Sequence, residues 1–259
     1  MPKFAANLTW LFNEFEFLDR FAEARRAGFD AVEILFPYAF DPRDVKERLK
    51  ANDLTQVVIN VPPGDWDAGE RGLAIFPDRR DEFRSAVEQA ISYASELSCK
   101  QLHCMAGVFP DEADLFEIEA TYIGNLKFAT AEAAKAGINI NIEAVNTTDV
   151  PGYYLTYVEQ AADVIEKVGA DNLRLQFDFY NVQKMEGNLA VTFETYLPLI
   201  GHVQIADNPG RHEPGTGEIN YSFILAMLDR LGYSGWVGCE YGPKGTTLEG
   251  LSWMERLGK

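Results

Sequence analysis

One unit recurs along the chain and limits what it can fold into: an amphipathic helical stretch, then Gly or a near equivalent, then a short β-rich run. It appears in FAEARRAGFDAVEILFP from Phe21, AISYASELSCKQLHCMAG from Ala90, ATAEAAKAGINI followed by NIEAVN from Ala129, and AMLDRLGYSGWVGCEYG from Ala226. EQAADVIEKVGADNLRLQFDFYN and TYLPLIGHVQIADNPG extend the series. In each, apolar residues fall at three- and four-residue spacing, and the Gly suits the left-handed position that closes a helix. Adding KFAANL at the start and LTQVVINVP near residue 58 gives eight candidate strands, seven of them preceded by helical sequence.

Strands that alternate with helices pair in parallel and are covered by those helices. Eight such units close most simply into an α/β fold, a single (β/α)8 TIM barrel, and the 259 residues suit the roughly 250 typical of it. The competing doubly wound sheet carries a Gly-rich turn after its first strand, which FAANLTWLF lacks. No Pro-, Gly- or Ser-rich linker divides the chain, so residues 1–259 read as one barrel domain.

With 47% hydrophobic and 24% charged residues the chain has material for one large core. Its net charge of -17 opposes nucleic acid and anionic membrane surfaces, so neither is an expected partner. An anionic substrate would need a metal ion or a local cluster of Arg, Lys or His. MPKFAANLTW lacks the layout of a signal peptide, and no uncharged apolar run approaches a membrane span, which predicts a cytoplasmic protein. Cys99, Cys104 and Cys239 form no CxxC pair and sit in apolar surroundings, as packed thiols in a reducing compartment do.

In a barrel of this kind the active site forms where strands reach their C-terminal ends. Strand five ends at Glu143, strand six (LRLQFDF) at Asp178 and strand eight (WVGCEYG) at Glu240, while strand seven (HVQIAD) carries Gln204. Any one of these could cap a helix or meet solvent. Three carboxylates and an amide oxygen at one mouth make a hard oxygen set suited to a divalent metal, with Mg2+ expected and Mn2+ the alternative. His103 on strand four, Asn146, Asn181, Asp207, Arg211 and His212 gather at the same ends as candidate pocket residues. Arg211, in a Gly- and Pro-rich loop, suits bidentate pairing with a substrate carboxylate, and Arg71 in WDAGERGLA is a second candidate.

The stretches PPGDWDAGERGLA, IEAVNTTDVPGYYL, FDFYNVQ, VQIADNPGRHEPGTGEINY and GCEYGP resemble those of hydroxypyruvate isomerases and the closely related 2-oxo-tetronate isomerases, within the xylose isomerase-like TIM barrel superfamily. The resemblance covers nearly the whole chain. It implies a metal-binding barrel with one divalent ion at Glu143, Asp178, Gln204 and Glu240, and with the two glutamates also serving as the acid/base pair. It further implies a small 2-oxo or hydroxy acid substrate: hydroxypyruvate to tartronate semialdehyde through an enediolate, with a 2-oxo-tetronate isomerase or another sugar or sugar-acid isomerase or epimerase of the superfamily as the alternative. The chain departs from the ketose 3-epimerase branch, which carries a histidine where Gln204 stands and another where Asn181 stands.

Two other readings compete with this one. An endonuclease IV-type enzyme on the same barrel needs several zinc ions held largely by histidines and a basic DNA face, against three histidines and a charge of -17 here. A sugar-acid binder without catalysis would not need paired acid/base glutamates. Aromatics in TWLFNEFEFL and GYYLTY are candidates for a homo-oligomer contact, with core packing or a pocket wall as the commoner fate.

Overall fold

The strands close on themselves. In a computed structural model, which describes residues 2–109 and 114–257, eight parallel strands follow chain order around a closed barrel, with β8 pairing back to β1. They are β1 (Lys3–Asn7), β2 (Ala31–Ile34), β3 (Thr55–Asn60), β4 (Gln101–His103), β5 (Asn139–Glu143), β6 (Leu173–Asp178), β7 (Ile200–Ile205) and β8 (Trp236–Cys239). Between them run α1 (Arg20–Arg26), α2 (Pro42–Ala51), α3 (Arg80–Glu96), α4 (Leu115–Lys135), α5 (Val158–Val168), the pair α6 (Phe179–Met185) and α7 (Leu189–Tyr196), and α8 (Tyr221–Arg230); α9 (Thr247–Gly250) and α10 (Ser252–Leu257) follow β8. The expected helix–strand unit is thus present before every strand from β2 onward. Gly169 closes α5 at φ +68, while Ser98 takes the left-handed position after α3, the near equivalent of glycine expected there.

Alternation along the strands decides which face looks where. Ile140 and Ile142 on β5, Leu175 and Phe177 on β6, Val203 and Ile205 on β7, and Val237 and Cys239 on β8 join one continuous apolar core with the helices. The intervening residues point into the barrel. This interior departs from the branched aliphatic filling usual in the fold, because much of it is polar: Asn7, Glu33, His202, Gln204 and Gln176 are all buried there. Glu33 of β2 accepts from Asn7 Nδ2 (3.0 Å) and Gln204 Nε2 (3.0 Å) and lies 2.7 Å from His202 Nε2. Strands β2 and β7 are not neighbours in the sheet, so the contacts of Gln204 and His202 with Glu33 cross the lumen.

The three cysteines are free and buried. Among the described residues no helix is long and apolar enough to cross a membrane. Of the aromatics that are candidates for a subunit contact, Phe12 and Tyr153 are core, Trp10 lines the barrel mouth, and Phe15 and Tyr157 remain exposed.

Room for the Glu33 carboxylate comes from Gly238 on β8, where an added Cβ would lie 2.5 Å from Glu33 Cδ. Gly238→Ala should therefore destabilise the barrel by about 1–3 kcal/mol through overpacking. Urea unfolding of the variant beside the parent measures this, and an unchanged midpoint would show that Glu33 is free to shift.

Candidate active site

A cavity of about 300 Å³ opens among the strand ends, and Glu143, Glu240, Arg71, His103, Asn181 and Arg211 are among its lining residues. Glu143 comes from the last position of β5, and Glu240 immediately follows β8, one residue beyond the strand. Asp178 and Gln204, paired across β6 and β7, are buried behind them. The aromatic wall includes Trp10, in the loop after β1, and Trp66.

Glu143 is held by donors from β6 and α6, Asp178 by the helix turn that follows it and Glu240 by Arg211. Asn181 Nδ2, in the first turn of α6, donates to Glu143 Oε1 (2.7 Å) and Asp178 Oδ2 (3.0 Å). Its Oδ1 accepts from Asn146 Nδ2 (2.6 Å), so Asn146 supports the site from behind Asn181. Asp178 Oδ1 accepts from Tyr180 N and caps α6. The helix-cap reading of a strand-terminal aspartate is thus met by one oxygen, while the other faces the cluster. Gln176 Nε2 donates to Glu143 Oε2 and to Gln204 Oε1, both at 2.8 Å, and Gln204 passes the chain on to Glu33.

Burial dominates the electrostatics. Burial, with Glu240 and Asp178 nearby, raises the Glu143 carboxyl well above its ordinary value. Burial likewise pushes Glu240 up to about 8 and Asp178 up to about 6, with Arg211 opposing both shifts. His103 is pushed down to about 3 by burial. Its imidazole is therefore neutral, and its Nε2, 3.6 Å from Glu143 Oε2, has no hydrogen-bond partner and is free to donate to or accept from a guest in the cavity.

Arg211 brings the cationic counterpart. Its Nη2 donates to Glu240 Oε2 (2.7 Å) and lies 3.8 Å from Asp178 Oδ2, and its guanidinium faces the rings of Trp10 and Tyr180 at 5.0 Å each. Arg71 stacks 3.6 Å from the Trp66 ring centroid and donates to the Trp66 and Glu70 carbonyls.

Asp207 and His212 reach the same mouth but turn away from the cavity, Asp207 into its own loop and His212 toward the segment that follows β8. Asp207 accepts the amides of Gly215, Gly217 and Ile219 (2.8–3.0 Å), and His212 Nδ1 lies 2.7 Å from the Gly242 carbonyl. Neither is among the residues lining the cavity. Residues that the strand-end reading did not reach are Gln176, Glu33 and His202 in the lumen and Trp10, Trp66 and Asp149 at the rim. Alternation from Asp178 back to Gln176 on β6 was a usable signal for the first. The rim residues lie on loops and carry no such period.

The donor chemistry suits a hard divalent cation. Three buried carboxylates face one guanidinium, an excess of negative charge that such an ion would offset. As the side chains stand, no three His, Cys, Asp or Glu groups among the described residues converge to hold one. Gln204 Oε1 is engaged by Gln176 and Glu240 by Arg211, so binding would draw on both.

Comparison with known proteins gives a consistent set of neighbours. A family model described as xylose isomerase-like TIM barrel matches residues 21–257. The 2-oxo-tetronate isomerase of Cupriavidus necator is 47% identical over 255 residues, covering 98% of each chain. The hydroxypyruvate isomerase of Escherichia coli is 46% identical, covering 98% of this chain and 99% of that one. The crystal structure of a Brucella melitensis protein named AP endonuclease, family 2, superposes with a TM-score of 0.97 at 44% identity, covering 99% of each chain. A 3-keto-D-glucoside 4-epimerase of E. coli shares the fold at a TM-score of 0.82 and 21% identity, with 99% of each chain covered.

Because one amide donates to two buried carboxylates, Asn181→Ala should lower stability by about 1–3 kcal/mol. Chemical denaturation reads this as a lower midpoint at unchanged slope; an unchanged midpoint would mean that water replaces the amide at no cost.

Proposed function

The chain belongs to the xylose isomerase-like TIM barrel family and is an isomerase of its hydroxypyruvate isomerase group; on that premise we propose that it interconverts hydroxypyruvate and tartronate semialdehyde. The observation that carries this reading is the pairing, in one cavity of about 300 Å³, of two glutamates from β5 and the end of β8 with two arginines. The volume suits a short-chain acid, and the arginines suit its carboxylate.

In the reaction a proton leaves C3 and another arrives at C2, while the hydroxyl proton passes from O3 to O2; an enediolate lies between. Glu143 and Glu240 act as the acid/base pair. Carboxyls raised by burial are matched to moving protons near neutral pH, an effect worth about 10²–10⁴-fold for each such group. His103, neutral and unpartnered, donates to a substrate oxygen. Glu143, Asp178, Gln204 and Glu240 would hold the divalent ion, Mg2+ or Mn2+, which when bound supplies Lewis-acid stabilisation of charge on the substrate oxygens. The rings of Trp66 and Trp10 form an apolar wall of the cavity.

The relatives' names also support a 2-oxo-tetronate as substrate, which carries the same reacting atoms plus one carbon. An endonuclease reading, suggested by the name of the Brucella protein, lacks support in the net charge of -17 and in the histidines. Of the three, only His103 lines the cavity; His202 binds Glu33 in the lumen and His212 lies against the Gly242 carbonyl after β8.

Incubation with hydroxypyruvate in deuterated water, followed by NMR, should show exchange of the C3 protons and appearance of the aldehyde. Glu143→Gln and Glu240→Gln should each lower turnover at least about a hundredfold while the protein stays folded, and near-normal turnover in either would remove it from the acid/base pair. Chelator should suppress turnover, with recovery on adding Mg2+ or Mn2+.

A further inference from the structure

The loop between β3 and α3 brings Trp66 and Arg71 to the cavity. Its residues 65–69 are exposed, so apolar burial does not fix their course. Hydrogen bonds do. Gly72 N donates to Pro63 O and Glu70 N to Asp65 O, each at 3.0 Å, which pinches the loop at its neck, and Ala68 N reaches Asp65 Oδ1 (3.0 Å). At its far end the loop is fixed to the segment after β4, where Gly72 pairs with Ala106 and the Met105 carbonyl leaves no room for a side chain at position 72.

Glu70 sits in that neck. Its Oε2 accepts from Asp65 N, and it lies over Gly64, whose φ of +90 and missing Cβ leave the carboxylate its room. Arg79, in the turn that enters α3, donates to both Glu70 oxygens, Nη2 to Oε2 at 3.1 Å, and grips Glu82 through Nε and Nη2, both at 2.8 Å. The guanidinium therefore ties the loop to the first turn of a 17-residue helix. It also holds the Glu70 carboxyl below its ordinary value, so the pair is ionised at neutral pH.

Arg71 follows directly and takes its orientation from the same loop. Its Nη1 donates to the Trp66 (3.0 Å) and Glu70 (2.7 Å) carbonyls, and its plane lies on the Trp66 ring, which in turn packs on Phe36 with ring centroids 5.0 Å apart. The Nε and Nη2 edge makes neither of these bonds, and it is the edge on which a carboxylate can take two parallel hydrogen bonds.

Resting on the isomerase reading above, we infer that Glu70 and Arg79 are positioning residues for the substrate carboxylate: their ion pair closes the β3–α3 loop so that Arg71 meets the substrate already oriented. An arginine ordered beforehand loses little side-chain and loop freedom on binding. The hydrogen bonds that order the loop involve none of Glu143, Asp178, Gln204 or Glu240.

Steady-state kinetics with hydroxypyruvate and amide hydrogen exchange together test this. Glu70→Gln and Arg79→Met should each raise KM about tenfold with kcat within about twofold of wild type, the pattern of lost binding and intact chemistry. The Asp65, Ala68 and Gly69 amides should exchange at least about tenfold faster, while the barrel strands keep their protection and so report that the variants are folded. Arg79→Lys, which keeps the charge without the planar fork, should fall between. In an Arg71→Ala background, where KM is already raised, Glu70→Gln should add no further rise. An unchanged KM in both single variants, a fall in kcat at unchanged KM, or the same rise in the Arg71→Ala background overturns the positioning role. Arg71→Ala with a wild-type KM overturns it as well, because there is then no carboxylate contact to position. Absence of turnover with hydroxypyruvate and with 2-oxo-tetronates alike in the wild type overturns the isomerase reading beneath it, whatever the loop amides show.

Discussion

The Glu33 carboxylate, buried in the barrel lumen, is the constraint on which the site depends. It ties β1, β2 and β7 together through Asn7, His202 and Gln204, and from Gln204 the chain of amides runs through Gln176 to Glu143. A buried carboxylate is tolerated only with donors on its oxygens. Asn7 from the neighbouring strand and Gln204 and His202 from across the lumen meet that demand, and Gly238 leaves the space. Because an amide has one donating and one accepting end, the acceptor at Glu33 and the acceptor at Glu143 together set how Gln204 and Gln176 must face.

The same network explains why so many like charges share one mouth. Glu143, Asp178 and Glu240 are each raised by burial, and the single guanidinium of Arg211 offsets only part of their repulsion. A core built for stability alone would not place them together, and conflict of this kind between local stability and arrangement belongs to functional sites. The surrounding apolar shell between strands and helices supplies the rigidity that keeps the cluster in place.

Much of this was legible in the sequence because it follows from short-range rules. The helix, glycine and strand unit predicts parallel strands with helices outside, and the two-residue period of β5 and β6 assigns Glu143, Asp178 and Gln176 to the face opposite the isoleucines and leucines. Glu33 shows the limit of that signal. AVEI is too short for its alternation to be told from chance, and its meaning comes only from His202 and Gln204, about 170 residues away in the chain.

The sequence by itself determined the repeating unit, the parallel sheet it builds and the polar residues at the strand ends, because helix and strand periodicities act over a few residues. Tertiary structure alone decided which of those polar residues face the cavity. Arg211 and His212 are adjacent in the chain, yet Arg211 reaches Glu240 while His212 turns to Gly242 and Asp207 binds its own loop's amides. Loop side chains have no period to read. Their direction is set by hydrogen bonds to segments brought alongside only when the barrel closes, with β8 returning to β1.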